Sequence, residues 1–103
     1  MRRANVFVHD KLAGTLVEVE AQRRYDFEYQ PDYAGPPVSL TMPVEGRRYS
    51  FDQFPPFFDG VLPEGAQLEA LLRLRKLERS DGFGQLLAVG SDLVGAVVVR
   101  PEP

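Results

Sequence analysis

The chain contains no cysteine and a single histidine, His9. The first absence excludes disulfides, thiolate zinc sites and cysteine nucleophiles. The second leaves no histidine cluster for a metal and one imidazole for acid–base work. An excess of charge of one sign is also missing: 12 Lys and Arg stand against 15 Asp and Glu, for a net charge of −3. Nothing in that balance draws the chain as a whole toward nucleic acid or an anionic membrane. Long apolar runs are absent too. The longest, Leu93–Val99, contains Gly95 and falls far short of the roughly 18–20 residues of a membrane span. Arg2 and Arg3 precede an apolar stretch that Asn5 interrupts and His9–Asp10 end, too short for a signal-peptide core. These exclusions predict a soluble, cytoplasmic protein that needs no cofactor and binds neither nucleic acid nor membrane directly.

What is present is enough for one core. Leu, Val and Phe supply 31 of 103 residues, above the roughly 20% aliphatic and aromatic content below which chains stay disordered. The length fits a single domain spanning residues 1–103. The first half reads as strands. Asn5–Val8 is short and apolar and runs into a polar turn at His9–Asp10–Lys11. Leu12–Glu20 alternates, with Val17 and Val19 facing opposite Glu18 and Glu20. Tyr25–Gln30 has the cleanest period of two, with Tyr25, Phe27 and Tyr29 on one face, and Pro31 stops it. Val38–Met42 alternates again, and Arg48–Phe51 adds a short edge strand. This pattern predicts an antiparallel meander with one buried and one wet face.

From Glu64 the period changes. Leu68, Leu71, Leu72 and Leu74 share a broad arc at 100° per residue, which predicts a core-facing helix over residues 64–79. Ser80–Asp81–Gly82 ends it and caps a short second helix through Phe83–Val89. Gly90–Asp92 is turn chemistry, and Val94–Val99 reads as a buried strand. The expected fold is α+β: an approximately five-stranded, mainly antiparallel sheet, curved toward a small barrel and packed by one longer and one short helix.

Candidate chemistry is sparse. Gly90 and Gly95 are spaced like part of a phosphate loop, but no Lys-Ser/Thr follows, and the segment leads into a strand rather than a helix. Asp59 and Glu64 flank a turn and admit a carboxylate-pair reading, which leaves a small acid–base enzyme as one alternative. Turn and helix-start roles account for both without catalysis. Ser39, Ser50, Ser80 and Ser91 sit in strand, turn or cap contexts, with no nucleophile elbow. The arginine pairs at 2–3, 23–24 and 47–48, together with Arg73, Arg75, Lys76 and Arg79, are interspersed with acids and read as solvated surface. The least ordinary segment is Phe54–Pro63. Its apolar residues plug the open end of the sheet, and any left exposed would suit a protein partner.

Four motifs carry a family resemblance. Ser39–Val44, Phe57–Gly65, Phe83–Leu87 and Gly90–Val97 stand in the order and spacing of the N-terminal subdomain of HipA-type toxin kinases, which the chain resembles over nearly its whole length. In those proteins a much larger kinase core follows, with the ATP loop and catalytic residues, and none of these has a counterpart in this sequence. The resemblance therefore points to a stand-alone version of the subdomain, like the HipS antitoxins of tripartite HipB–HipS–HipT systems. It implies binding and restraint of a HipT-type serine/threonine kinase, with a HipB-like DNA-binding protein in a larger complex. It places the partner contact on Phe57, Phe58, Asp59, Pro63, Glu64, Gly65, Ala66 and Gln67. Several relatives have Trp where this chain has Ala66, a departure that removes a bulky anchor from the turn. The alternative within the family is the N-terminal subdomain of a HipA kinase, supporting HipB binding and complex assembly.

Overall fold

The computed structural model describes residues 1–93 and 95–103. Five strands form one antiparallel sheet: β1 (Arg2–Val8), β2 (Lys11–Glu20), β3 (Arg24–Tyr29), β4 (Arg48–Phe51) and β5 (Val97–Pro101). Their order is β4-β3-β2-β1-β5, so the sheet stays open with β4 and β5 at its edges and does not close toward a barrel. The β1–β2 hairpin turns on His9 and Asp10, whose φ values of 48° and 67° give the double left-handed geometry that matches the twist of two-residue hairpins. Val94, where the last strand was expected to begin, lies outside the described residues.

The aromatic face of β3 is buried as its alternation predicts, with Tyr25, Phe27 and Tyr29 all in the core. They face Ala4, Val6 and Leu16 across the same side of the sheet. The second strand differs from expectation. Pairing of Leu16 with Phe27 and of Glu18 with Tyr25 turns Glu18 inward, where it is buried, and leaves Val17 and Val19 half-buried on the outer face. A carboxylate on the core face is tolerable only with charged partners, and these are described below.

Val38–Met42 is not a strand. Its backbone is claimed by a tyrosine: the Tyr29 hydroxyl accepts from Val38 N–H at 3.0 Å and donates to the Met42 carbonyl. Ser39 and Met42 then meet in one isolated bridge across a tight turn. The alternation that mimicked a strand is that of a loop dipping inward, with Val38 and Met42 buried and Leu40 thrust out at the tip, 91% exposed.

Three helices follow, α1 (Pro56–Gly60), α2 (Gly65–Arg75) and α3 (Gly82–Val89). Helix α1 was not anticipated. Pro56 starts it, where the missing N–H has no cost, and it drives Phe58 into full burial against Phe27, with ring centroids 6.2 Å apart. Phe54, Phe57, Val61 and Leu62 pack around the same cluster, so the segment does plug the sheet. The helices divide their work in the reverse of the expected way. The short α3 buries Phe83, Gly84, Gln85 and Leu86. The longer α2 buries no residue, and none of its leucines packs against the core.

One ion network joins these layers. The Arg2 guanidinium donates to both oxygens of Glu18, at 2.8 and 2.9 Å, and to both oxygens of Asp81, at 2.7 and 3.2 Å. Two bidentate pairs on one guanidinium are the strong form of charge-assisted bonding. The same group lies 5.2 Å from the Phe83 ring centre, close enough for a cation–π contact. Asp81 also caps α3, accepting from Gly84 N–H at 3.0 Å, so the network ties β1 and β2 to the start of the core helix. At the other end of α3, Gly90 presses against the Val99 carbonyl, leaving no room for a Cβ.

Donation from Arg2 holds the Asp81 carboxyl below the usual carboxylate range. The resulting stability is fully present above the unfolded pKa of about 3.9 and is lost as pH falls through the lower folded value. Urea unfolding between about pH 5 and pH 2 should show an acid limb that Asp81→Asn flattens, with a loss of about 1–2 kcal/mol at neutral pH. An unchanged limb would remove the network from the stability of the fold. Gly90→Ala should cost about 2–4 kcal/mol, whereas Gly60→Ala, with open space around the added carbon, should leave the urea midpoint nearly unmoved.

Candidate functional site

The residues expected to meet a partner lie on one continuous stretch, from α1 through the start of α2. Phe58 is the exception to the expected role. It is fully buried and offers a partner nothing, because the turn of helix in α1 points it at the sheet while Phe57 stays half-buried. Asp59, Glu64, Gly65, Ala66 and Gln67 are exposed, and Pro63 is half-buried. Gly65 opens α2 with φ +58° and nothing within 4 Å of where a side chain would begin. The glycine is therefore required by the backbone turn and not by crowding. Glu64 precedes it in extended conformation without bonding the helix through its side chain.

Helix α2 is held at its far end instead of along its face. Lys76 adopts the left-handed conformation, and Leu77 N–H returns to the Leu72 carbonyl at 3.0 Å, a common helix stop. The buried Gln85 side chain donates to the carbonyls of Glu78 and Arg79 at 3.1 and 3.0 Å. Arg79 reaches back to pair with Glu69. These bonds fix the α2–α3 connection to the core helix and so set where the 59–67 turn projects. Gln85 stood inside one of the family motifs, but no sequence spacing announces which carbonyls it holds.

The outer face of the sheet forms a groove of about 530 Å³, lined among others by Arg3, Val17, Val19, Asp26, Glu28 and Arg48. Its charges are paired only in part, and Asp26 Oδ1 is buried without a hydrogen-bond partner. Arg48 donates to Asp26 at 2.9 Å, and Arg24 lies 3.8 Å from the same carboxylate. The Arg48 bond holds the Asp26 carboxyl below its ordinary range. Neither Asp59 nor Glu64 lines this groove, and both project into solvent, so the carboxylate pair lacks the enclosed setting that acid–base work requires. Among the described residues, no three His, Asp or Glu side chains are grouped to hold a metal ion. No described helix is long and apolar enough to cross a membrane.

A family model described as the HipA N-terminal domain matches residues 4–100. The chain belongs to the HipA N-terminal domain family. A Haemophilus influenzae protein of uncharacterised function is 33% identical over 102 residues, covering 99% of this chain and 94% of its own length. A solved structure titled as the N-terminal domain of HipA toxin superposes with a TM-score of 0.79 at 33% identity. That superposition covers 100% of this chain and 94% of the solved one. Membership in the HipA N-terminal domain family gives the chain a toxin–antitoxin-related role, and the likeness is to the N-terminal domain and not to a kinase core.

The two ends of the 57–67 stretch should separate cleanly by mutation. Phe58→Ala should lower unfolding free energy by about 3–5 kcal/mol, while Gln67→Ala should stay within about 0.5 kcal/mol of the parent. Equal effects in urea titrations would show that the stretch does not divide into a core residue and a free surface.

Proposed function

We propose that this chain is a non-enzymatic, antitoxin-like protein that binds and restrains a HipT-type serine/threonine kinase toxin. The observation that carries the reading is end-to-end likeness to the N-terminal domain of a HipA toxin, in a chain that leaves Asp59 and Glu64–Gln67 exposed at its surface. Phe57, Asp59, Pro63, Glu64, Gly65, Ala66 and Gln67 form the contact surface in this reading, with Phe58 fixing its position from beneath. With Ala66 in place of a large ring, affinity comes from the breadth of the surface and less from one inserted side chain. Restraint of the kinase then follows from tighter binding to its incompetent state than to its competent one, with no bond made or broken.

The likeness to the toxin's own domain also favours a second reading, a HipA N-terminal subdomain that supports HipB binding and complex assembly. Co-expression distinguishes the two. With a HipT-type kinase, the chain should co-purify with it and relieve its effect on growth. If the kinase is harmless alone, or never co-purifies with the chain, the antitoxin reading fails. Recovery of the chain only when a HipB-like protein is also present, without relief of growth, would select the assembly reading. Alanine at both Asp59 and Glu64 should weaken binding by at most about tenfold and leave relief of growth detectable, as expected for exposed rim contacts. Complete loss of the effect with binding intact would return the carboxylate-pair enzyme.

A further inference from the structure

Helix α2 breaks a rule that the rest of the molecule keeps. A helix of 11 residues is marginal in water by itself, and proteins usually stabilise such a helix by burying one face. Here no residue of α2 is buried, the helix packs on α3, and none of its leucines joins the core under the sheet. Leu68, Leu71 and Leu72 are half-buried, and Leu74 is 79% exposed. Gln67, Ala70, Leu71 and Leu74 recur at i, i+3, i+4 and i+7, which sets them in one stripe along the cylinder. A single exposed leucine is ordinary. A stripe at this spacing on a helix with no buried face is the form by which amphipathic helices dock.

Charge defines what the stripe fits. Arg73 and Arg75 flank Leu74 in the last turn, and Lys76 follows. Among the described residues, none of the three has a carboxylate within 4.0 Å. These cations stand free on a protein whose net charge is −3. The complementary surface is therefore apolar at its centre and acidic at its rim. A second copy of the chain is a poor occupant. The helix is only about 16 Å long, too short for a self-pairing to approach the roughly 1,200 Å² of a stable interface. A partner seated on the 59–67 turn meets α2 without a break, because Gly65 belongs to both.

We propose that the Leu71–Leu74 stripe of α2, with Arg73, Arg75 and Lys76 at its rim, is a docking surface for an acidic, amphipathic segment of the kinase. This rests on the antitoxin reading and adds a second contact beside the turn. The far end of α2 is held by the Gln85 bonds to the residues that follow it and by the Arg79–Glu69 pair, which limits the ordering lost on binding.

Binding of the purified full chain to a purified HipT-type kinase, measured by calorimetry at low and high salt, tests this. Leu74→Asp should weaken binding by about tenfold or more. Arg73→Glu with Arg75→Glu should weaken it and remove most of its salt dependence. Both variants should melt with the parent, since neither alters a buried group. If the parent binds and both variants bind as tightly, the α2 surface is wrong while the antitoxin reading stands. If the parent does not bind, both fall. Sedimentation of the chain alone provides a further check: a dimer dissociated by Leu74→Asp would assign the stripe to a second copy and overturn the proposal.

Discussion

The fold turns on one guanidinium. Arg2 stands at the start of β1, and its side chain bonds a carboxylate on β2 and another at the head of α3, residues 16 and 79 positions away. Glu18 is buried, so without Arg2 it would be a nearly desolvated charge facing the ring of Tyr25 and its hydroxyl. Such an uncompensated charge costs more than the pair gains. The arrangement is therefore less a source of stability than a requirement for one docking of α3. If the helix slides or rotates, Asp81 leaves the fork, and the Arg2–Glu18 pair on the sheet loses the acid that ties it to α3. Phe83, stacked beside Tyr25 at 6.3 Å, follows the same constraint.

Local pattern made much of this legible. The β3 aromatics, the His9–Asp10 turn, the Asp81 cap and the change of period after Pro63 are all consequences of short-range rules, and the structure keeps them. The misreadings share a physical cause: each turned on what lies against the segment in space, which its local pattern does not report. Val17 and Val19 look like the buried side of β2 until Arg2 and Asp81 supply counter-ions for Glu18. Val38–Met42 looks like a strand until the Tyr29 hydroxyl takes two of its backbone groups. The leucines of α2 look like a core stripe because periodicity reports amphipathicity and not what covers the apolar face.

The contact segment was legible in a different way, through motif order more than through chemistry. Exposure then sorted its members. Burial of Phe58 and the free projection of Asp59 and Gln67 depend on one turn of helix beginning at Pro56, which two adjacent prolines hide from any reading based on helix propensity. The result is a division between a rigid seat and an outward surface within ten residues of chain, suited to a protein that acts by contact.

The treatment of β5 has a consequence for the protein before it meets any partner. An open sheet offers unpaired backbone at both edges, which invites strand-to-strand aggregation. On β5 the invitation is withdrawn twice: Pro101 has no N–H to offer, and Gly90 lies against the Val99 carbonyl. The opposite edge, β4, is only four residues long and begins with Arg48. Both edges are therefore guarded against strand-to-strand pairing before any partner is bound.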